Sequence, residues 1–249
     1  MTTPCIAVSG RRALLDVFDA DPFVFAFASE SATGLASHDA AVWQRPLHGS
    51  VQLVAYGEPH AAAELLTRFA PERLPARLAT PRPILETVPD WLRPARFGEW
   101  LWFYTRQAPP RQDGEDRANW CQPEEYAEVN ALLDVAFPTA SARPDSATSW
   151  RRWYAIRDTD GTMVACGNAA IADGAGPSLG SIAVHPDARR RGLGSALTAW
   201  VTRQLMAEGH PQVSLGSYTG EDATHRVYRR LGFQDRHVMT TGRVEPEPT

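Results

Sequence analysis

The sequence predicts a mixed α/β chain in two parts: a smaller N-terminal α+β part, and a C-terminal part with a mostly antiparallel sheet flanked by helices. Three observations predict this. Short apolar runs with strand-like alternation are interleaved with runs at helical spacing. A polar stretch with two prolines and a glycine, Gln107 to Asp116, interrupts the pattern and can continue neither neighbour. The length of 249 residues also suffices for two cores of ordinary size. The expected division is 1–106 for the first part, 107–118 for the linker and 119–245 for the second part.

In the first part, Val51 to Tyr56 alternates like a strand, and Gly57-Glu58-Pro59 opens a helical run from Ala61 to Phe69. Six prolines between Pro71 and Pro94 predict an irregular stretch, and Glu99 to Thr105, rich in aromatic residues, reads as a buried strand. In the second part, Pro123 suits the first turn of a helix that carries Tyr126, Val129, Leu133 and Phe137 at helical spacing until Pro138. Arg152 to Arg157, an Asp160-Gly161 turn and Thr162 to Ala172 read as a hairpin. A turn at 173–177 leads to a third strand, Ser178 to Val184. Leu197, Val201 and Leu205 mark a helix stopped by Gly209. Val213 to Ser217 is a strand. Asp222 is placed to cap a helix with an Ala223, Val227 and Leu231 stripe, Gly232 ends it, and Phe233 to Thr241 supplies the last strand.

Composition narrows the function. The formal charge of -4 excludes a protein that grips nucleic acid by bulk charge, so any basic site is local. All 25 basic residues are arginine, which reads as compositional bias. Cys5, Cys121 and Cys166 are odd in number and lack CxxC spacing, so neither a disulfide frame nor a zinc or other metal site is expected. No apolar run reaches the 18 residues or so that a membrane span requires, and the N-terminus lacks a signal-like pattern. A cytoplasmic protein with no membrane partner is expected.

The chemistry concentrates at Arg189-Arg190-Arg191-Gly192-Leu193-Gly194-Ser195. The glycines let the backbone turn and keep side chains away from the helix start, where amide N–H groups can face a phosphate. The arginines add charge and paired donors at the same place. A dinucleotide-binding GxGxxG fails, because Leu197 stands at the third glycine and seven residues separate Val184 from Gly192. A P-loop fails for want of any lysine. The bland alternative is an arginine-rich surface loop.

Neighbouring residues weigh against that alternative. Ile182-Ala183-Val184-His185-Pro186, then Arg189-x-x-Gly192-x-Gly194, then Val227-Tyr228-x-x-Leu231-Gly232-Phe233 resemble the GNAT family of acyl-CoA-dependent N-acyltransferases, in order and at family-like spacing. The resemblance covers about Trp120 to Arg243. It implies transfer of an acetyl group from acetyl-CoA directly to an amine, on a small molecule or a protein. By the same resemblance, the backbone of Ile182, Ala183 and Val184 would pair with the pantetheine arm, and Arg189 to Ser195 would hold the pyrophosphate. The parallel strands Ser178 to Val184 and Val213 to Ser217 would splay apart. Tyr228 would protonate the departing thiolate, which suits a phenol of pKa near 10.

Two positions depart from the family pattern. Gly216 stands where a family glutamate base often lies, and Glu221 replaces a common asparagine. Glu221 is the candidate base, acting through water, against the reading of a solvated helix-cap carboxylate. His225 has a suitable ordinary pKa of about 6.5 but reads as a surface histidine. His185 reads as a loop residue and Cys166 as core. The alternative function is a non-catalytic acyl-CoA-binding regulatory module, and the first part is a candidate degenerate copy of the same fold that shapes the acceptor pocket.

Overall fold

A computed structural model describes residues 4–47, 50–145, 150–171 and 175–246. The first run of elements is β1 (Ile6–Ser9), α1 (Gly10–Val17), α2 (Pro22–Phe27), β2 (Thr33–Ala36), β3 (Ala40–Leu47), β4 (Ser50–Gly57), α3 (Pro59–Phe69), β5 (Ala76–Pro81), α4 (Arg82–Thr87) and β6 (Phe97–Thr105). The second is β7 (Ala118–Trp120), α5 (Tyr126–Ala136), β8 (Arg151–Arg157), β9 (Met163–Ala170), β10 (Ser178–Val184), α6 (Leu193–Ala207), β11 (Val213–Tyr218), α7 (Asp222–Arg230) and β12 (Gln234–Val244). The two runs share one order: strand, helical segment, three antiparallel strands, helix, parallel strand, helix, strand. Five elements precede the first strand read from the sequence.

The twelve strands among the described residues form one mixed, mostly antiparallel sheet in the order β1-β2-β3-β4-β5-β12-β6-β11-β10-β9-β8-β7. Each run lends its last strand to the other. β12 pairs with β5 from Met239↔Pro81 to Val244↔Ala76, and β6 pairs with β11 from Val213↔Thr105 to Tyr218↔Trp100. The aromatic strand that the sequence places in the first part therefore lies between β11 and β12. Its alternation serves both faces: Phe103 packs with α6 and α7, while Trp102 packs with α1 and α2. The polar segment before β7 separates the runs in sequence, and the sheet passes through both.

The proline-rich stretch is not irregular, because the prolines sit at element boundaries. Pro81 ends β5 and occupies the N-cap of α4, and α4 has a proline in its first turn, where no N–H partner is lost. Residues 172–174 lie outside the described residues, and with them part of the turn expected at 173–177. Among the described residues no helix is long and apolar enough to cross a membrane.

Helix α7 turns a different face inward from the one the sequence suggests. His225 and Tyr228 are buried, Val227 is half-buried and Ala223 is exposed. Asp222 makes no capping bond; the N-cap position is Glu221. The helix lies on Phe103, whose ring centroid is 5.4 Å from His225 and 5.6 Å from Tyr228. Aromatic packing from β6 thus decides its rotation.

Candidate active site

The site begins where two parallel strands part. β10 and β11 pair only at Ser178↔Ser214 and Leu179↔Leu215. Beyond that, β11 follows β6 and β10 follows β9. On the β9 side the register passes from Gly180↔Asn168 to Ala183↔Cys166, so Ser181 and Ile182 oppose the single residue Gly167. Ser181 takes φ +48°, and its hydroxyl donates to the Ala142 carbonyl at 2.9 Å. Gly167 is required by close packing: a Cβ there would lie 2.7 Å from the Tyr154 hydroxyl. The bulge bends β10 away and leaves the edge of Gly180 to Val184 facing a wedge.

Ile182, Ala183 and Val184 stand on this edge. Ala183 is buried toward α5, while Ile182 and Val184 are half-buried against the cluster that includes α6. His185 caps the short turn after the strand, accepting the Asp187 amide at 3.3 Å.

At the mouth of the wedge, α6 opens on Gly192, which has φ +76° and provides no side-chain cap. A Cβ on Gly192 would meet nothing within 4 Å, so the glycine is there for its backbone conformation. The first turn-closing bond is Ala196 N to Gly192 O at 3.0 Å, so the amides of Leu193, Gly194 and Ser195 precede the helix ladder and point outward. Arg190 adopts φ +64°, a second left-handed residue in the loop two positions before Gly192.

The three arginines divide their tasks. Arg189 folds back to the carbonyls of Val184 and Ala136, each at 3.3 Å. Arg191 forks onto Asp158 at 2.9 and 3.2 Å, and this bond holds the Asp158 carboxyl down to about 2. Arg190 is exposed and has no hydrogen bond or ion pair among the described residues.

Tyr228 is 6% exposed, with Phe103 and Phe233 around its ring. Burial, reinforced by the charge of Glu221, pushes its phenol well above the ordinary value, so it is protonated at neutral pH. Glu221 is exposed at the start of α7. His225 is not a surface residue: it is 2% exposed, and its Nε2 lies 3.1 Å from the Tyr218 carbonyl, which ties α7 to the end of β11. Cys166 is fully buried on β9.

The opposite face of the sheet holds residues that sequence reasoning missed. Gly180 and Gly216 stand one position beyond the last paired residues of β10 and β11, on the face away from Leu179 and Leu215. A Cβ on Gly216 would lie 2.7 Å from Trp100 Cε3, so the indole fills the place of the missing side chain. Trp100 is fixed by its Nε1–H, which donates to Thr241 Oγ1 at 2.9 Å. On the other side, the Asn168 side chain would lie 3.5 Å from a Cβ on Gly180; it is 2% exposed, and its Nδ2 has no partner among the described residues. An asparagine inside the small apolar run Met163–Ala170 was the available signal. Nothing in the sequence announced Trp100, because its role depends on β6 lying beside β11. Among the described residues no cluster of His, Cys, Asp or Glu is placed to hold a metal ion.

Comparison with known proteins agrees with this geometry. The model of the acetyltransferase (GNAT) family matches residues 96–233. A mycothiol acetyltransferase of Mycolicibacterium gilvum is 40% identical over 66 residues, 26% of this chain and 20% of that protein. An acetyltransferase of Photorhabdus laumondii is 37% identical over 65 residues, 26% of this chain and 46% of that protein. The chain thus spans less than half the length of these curated relatives. A GCN5-related N-acetyltransferase structure from Sphaerobacter thermophilus aligns over 98% of this chain and 97% of its own, with a TM-score of 0.56 and 17% identity, a likeness of fold.

Proposed function

Because the chain belongs to the GNAT acetyltransferase family, we propose that it transfers an acetyl group from acetyl-CoA to an amine held in a ternary complex. One observation carries this reading: the bulged strand β10 parts from β11 directly in front of a glycine-headed helix whose first amides are free. Such a wedge fits a long thiol ester arm lying along a strand edge, with its pyrophosphate at a helix N-terminus.

Acetyl-CoA supplies the activated thioester. The amides of Leu193 to Ser195 and the guanidinium of Arg190 bind phosphate oxygens, while Arg189 and Arg191 hold the loop in shape. The unpaired backbone N–H groups after the bulge are donors for the thioester carbonyl. Tyr228 keeps its proton through neutral pH and delivers it to the leaving thiolate. The acceptor enters from the face of Gly180 and Gly216, where the missing side chain of Gly180 leaves room beside Asn168 and the Trp100 indole covers Gly216. With Trp100 in place of a carboxylate, the amine loses its proton to water, and Glu221, exposed at the start of α7, relays it.

The same substitution motivates a second reading, a module that binds acyl-CoA without turnover. Thermal unfolding with and without acetyl-CoA, in the natural chain and in Gly192→Val, tests the site. At about 100 times the dissociation constant the ligand adds about 2.7 kcal/mol, a rise of a few degrees. A rise lost in the variant supports the site, and acetylation of any amine in a panel then favours the enzyme over the module. No rise in the natural chain rejects both readings.

A further inference from the structure

The repeated element order gives the sheet a second place where parallel strands part. β4 and β5 pair only at Gln52↔Arg77, Leu53↔Leu78 and Val54↔Ala79. Beyond these residues a cavity of about 770 Å³ opens, walled by the ends of β4 and β5 and the starts of α3, α4 and β12. It stands in the first run where the acetyl-CoA wedge stands in the second.

Its charge is reversed. The second run has free amides at the helix start, whereas Glu58 caps α3 here, its carboxylate accepting His60 N at 3.2 Å and Ala61 N at 2.7 Å. The protein's own carboxylate therefore occupies the place a phosphate would need. Four carboxylates line the cavity (Asp21, Asp39, Glu58 and Glu86) against two guanidiniums. Both guanidiniums are already engaged: Arg82 with Glu86 at 3.1 Å and Arg236 with Asp21 at 2.8 Å. Burial holds His237 down to about 4, so its imidazole adds no charge at neutral pH. Between the charges the wall is apolar, with Tyr56, Pro81 and Ile84 among its residues.

We propose that this second cleft binds a small organic cation, an ammonium group on an apolar body, and refuses acyl-CoA. Anionic pyrophosphate meets an excess of two negative charges and, at the start of α3, a helix N-terminus already taken by Glu58, whereas an ammonium meets carboxylates and an apolar floor. The site is separate from the transfer centre. His237 pairs with Trp102 and Trp102 with Gly216, so two strand spacings of about 5 Å each lie between them. Trp102, 1% exposed, lies between the two positions in the sheet. A ligand bound there is held, not acetylated, and the proposal stands apart from whether transfer occurs.

Calorimetric titration of the full chain with benzylammonium, benzyl alcohol and benzoate tests it, since the three probes share a body and differ in charge. The expected result is an affinity for benzylammonium about tenfold or more above that for the alcohol, with benzoate weakest. Glu58→Ser keeps a helix cap and Glu86→Gln changes an exposed residue, so both variants retain the fold, which thermal melting checks. Each is expected to weaken benzylammonium binding about tenfold, while Gly192→Val leaves it unchanged. Acetyl-CoA is expected to bind once per chain. The proposal is overturned by absence of benzylammonium binding, by equal affinity for the three probes, by binding indifferent to both carboxylate variants, or by a second acetyl-CoA per chain.

Discussion

Trp100 occupies the space into which any side chain at position 216 would project, its Cε3 atom 2.7 Å from an ideal Cβ there. A carboxylate cannot be restored at that position by substitution alone. Gly216→Ala is expected to destabilise the chain by about 1–3 kcal/mol, the cost of overpacking. That cost should largely vanish in a Trp100→Ala background, giving a clear coupling term in urea denaturation of the four-member cycle. Additive effects would show that the indole moves aside freely. Gly216→Glu is expected to bring no gain in activity.

Replacement of Tyr228 by Phe is expected to lower kcat about 100-fold or more while leaving acetyl-CoA affinity unchanged, since the ring packing is preserved. Burial raises this phenol above its ordinary value, so the natural chain should show no loss of rate attributable to Tyr228 deprotonation up to about pH 10. A pH–rate profile of both forms settles the point; a descending limb below that pH that the Phe variant lacks would contradict the assignment.

The three loop arginines should separate by their partners. Arg190→Ala removes the unengaged guanidinium, and about a tenfold loss of acetyl-CoA affinity is expected, smaller at high salt. Arg189→Ala breaks two bonds to main-chain carbonyls, so its main effect should be a lower melting temperature. Titration calorimetry and melting curves on both variants distinguish the roles. Equal losses of affinity would mean that the loop acts only as summed charge.

His237 gives the stability a defined acid dependence. Its folded pKa of about 4 lies below the ordinary 6.5, so between these values the unfolded chain binds more protons than the folded one. Stability from this group is therefore complete above about pH 6.5, declines as pH falls, and levels off below about 4. The melting temperature of His237→Gln relative to the natural chain should rise between pH 7 and pH 5. Depressed carboxylates such as Asp158 and Asp235 are common to both chains and cancel in the difference. A constant difference between the two pH values would remove His237 from this role.

The sequence by itself determined the elements that carry their own periodicity or punctuation. The apolar repeat Leu197, Val201, Leu205 sets α6, and Gly192 and Gly194 set its open start, because these are local properties of backbone and side-chain spacing. It also determined the family, through residues that lie close together along the chain. The proline-rich stretch was misread because a proline ends one element and begins another as readily as it breaks one, and only the neighbours decide which.

The tertiary structure alone decided what depends on strand neighbours far apart in sequence. That β6 lies beside β11 places Trp100 over Gly216, turns Phe103 toward α7 and so buries His225 and Tyr228 in place of Ala223. That β12 lies beside β5 brings His237 to Tyr56 and Asp21 across a cavity with no sequence signature. The physical reason is the same in each case. A strand's alternation fixes which residues share a face, but its position in the sheet fixes what that face meets, and position is set by the summed packing of the whole sheet.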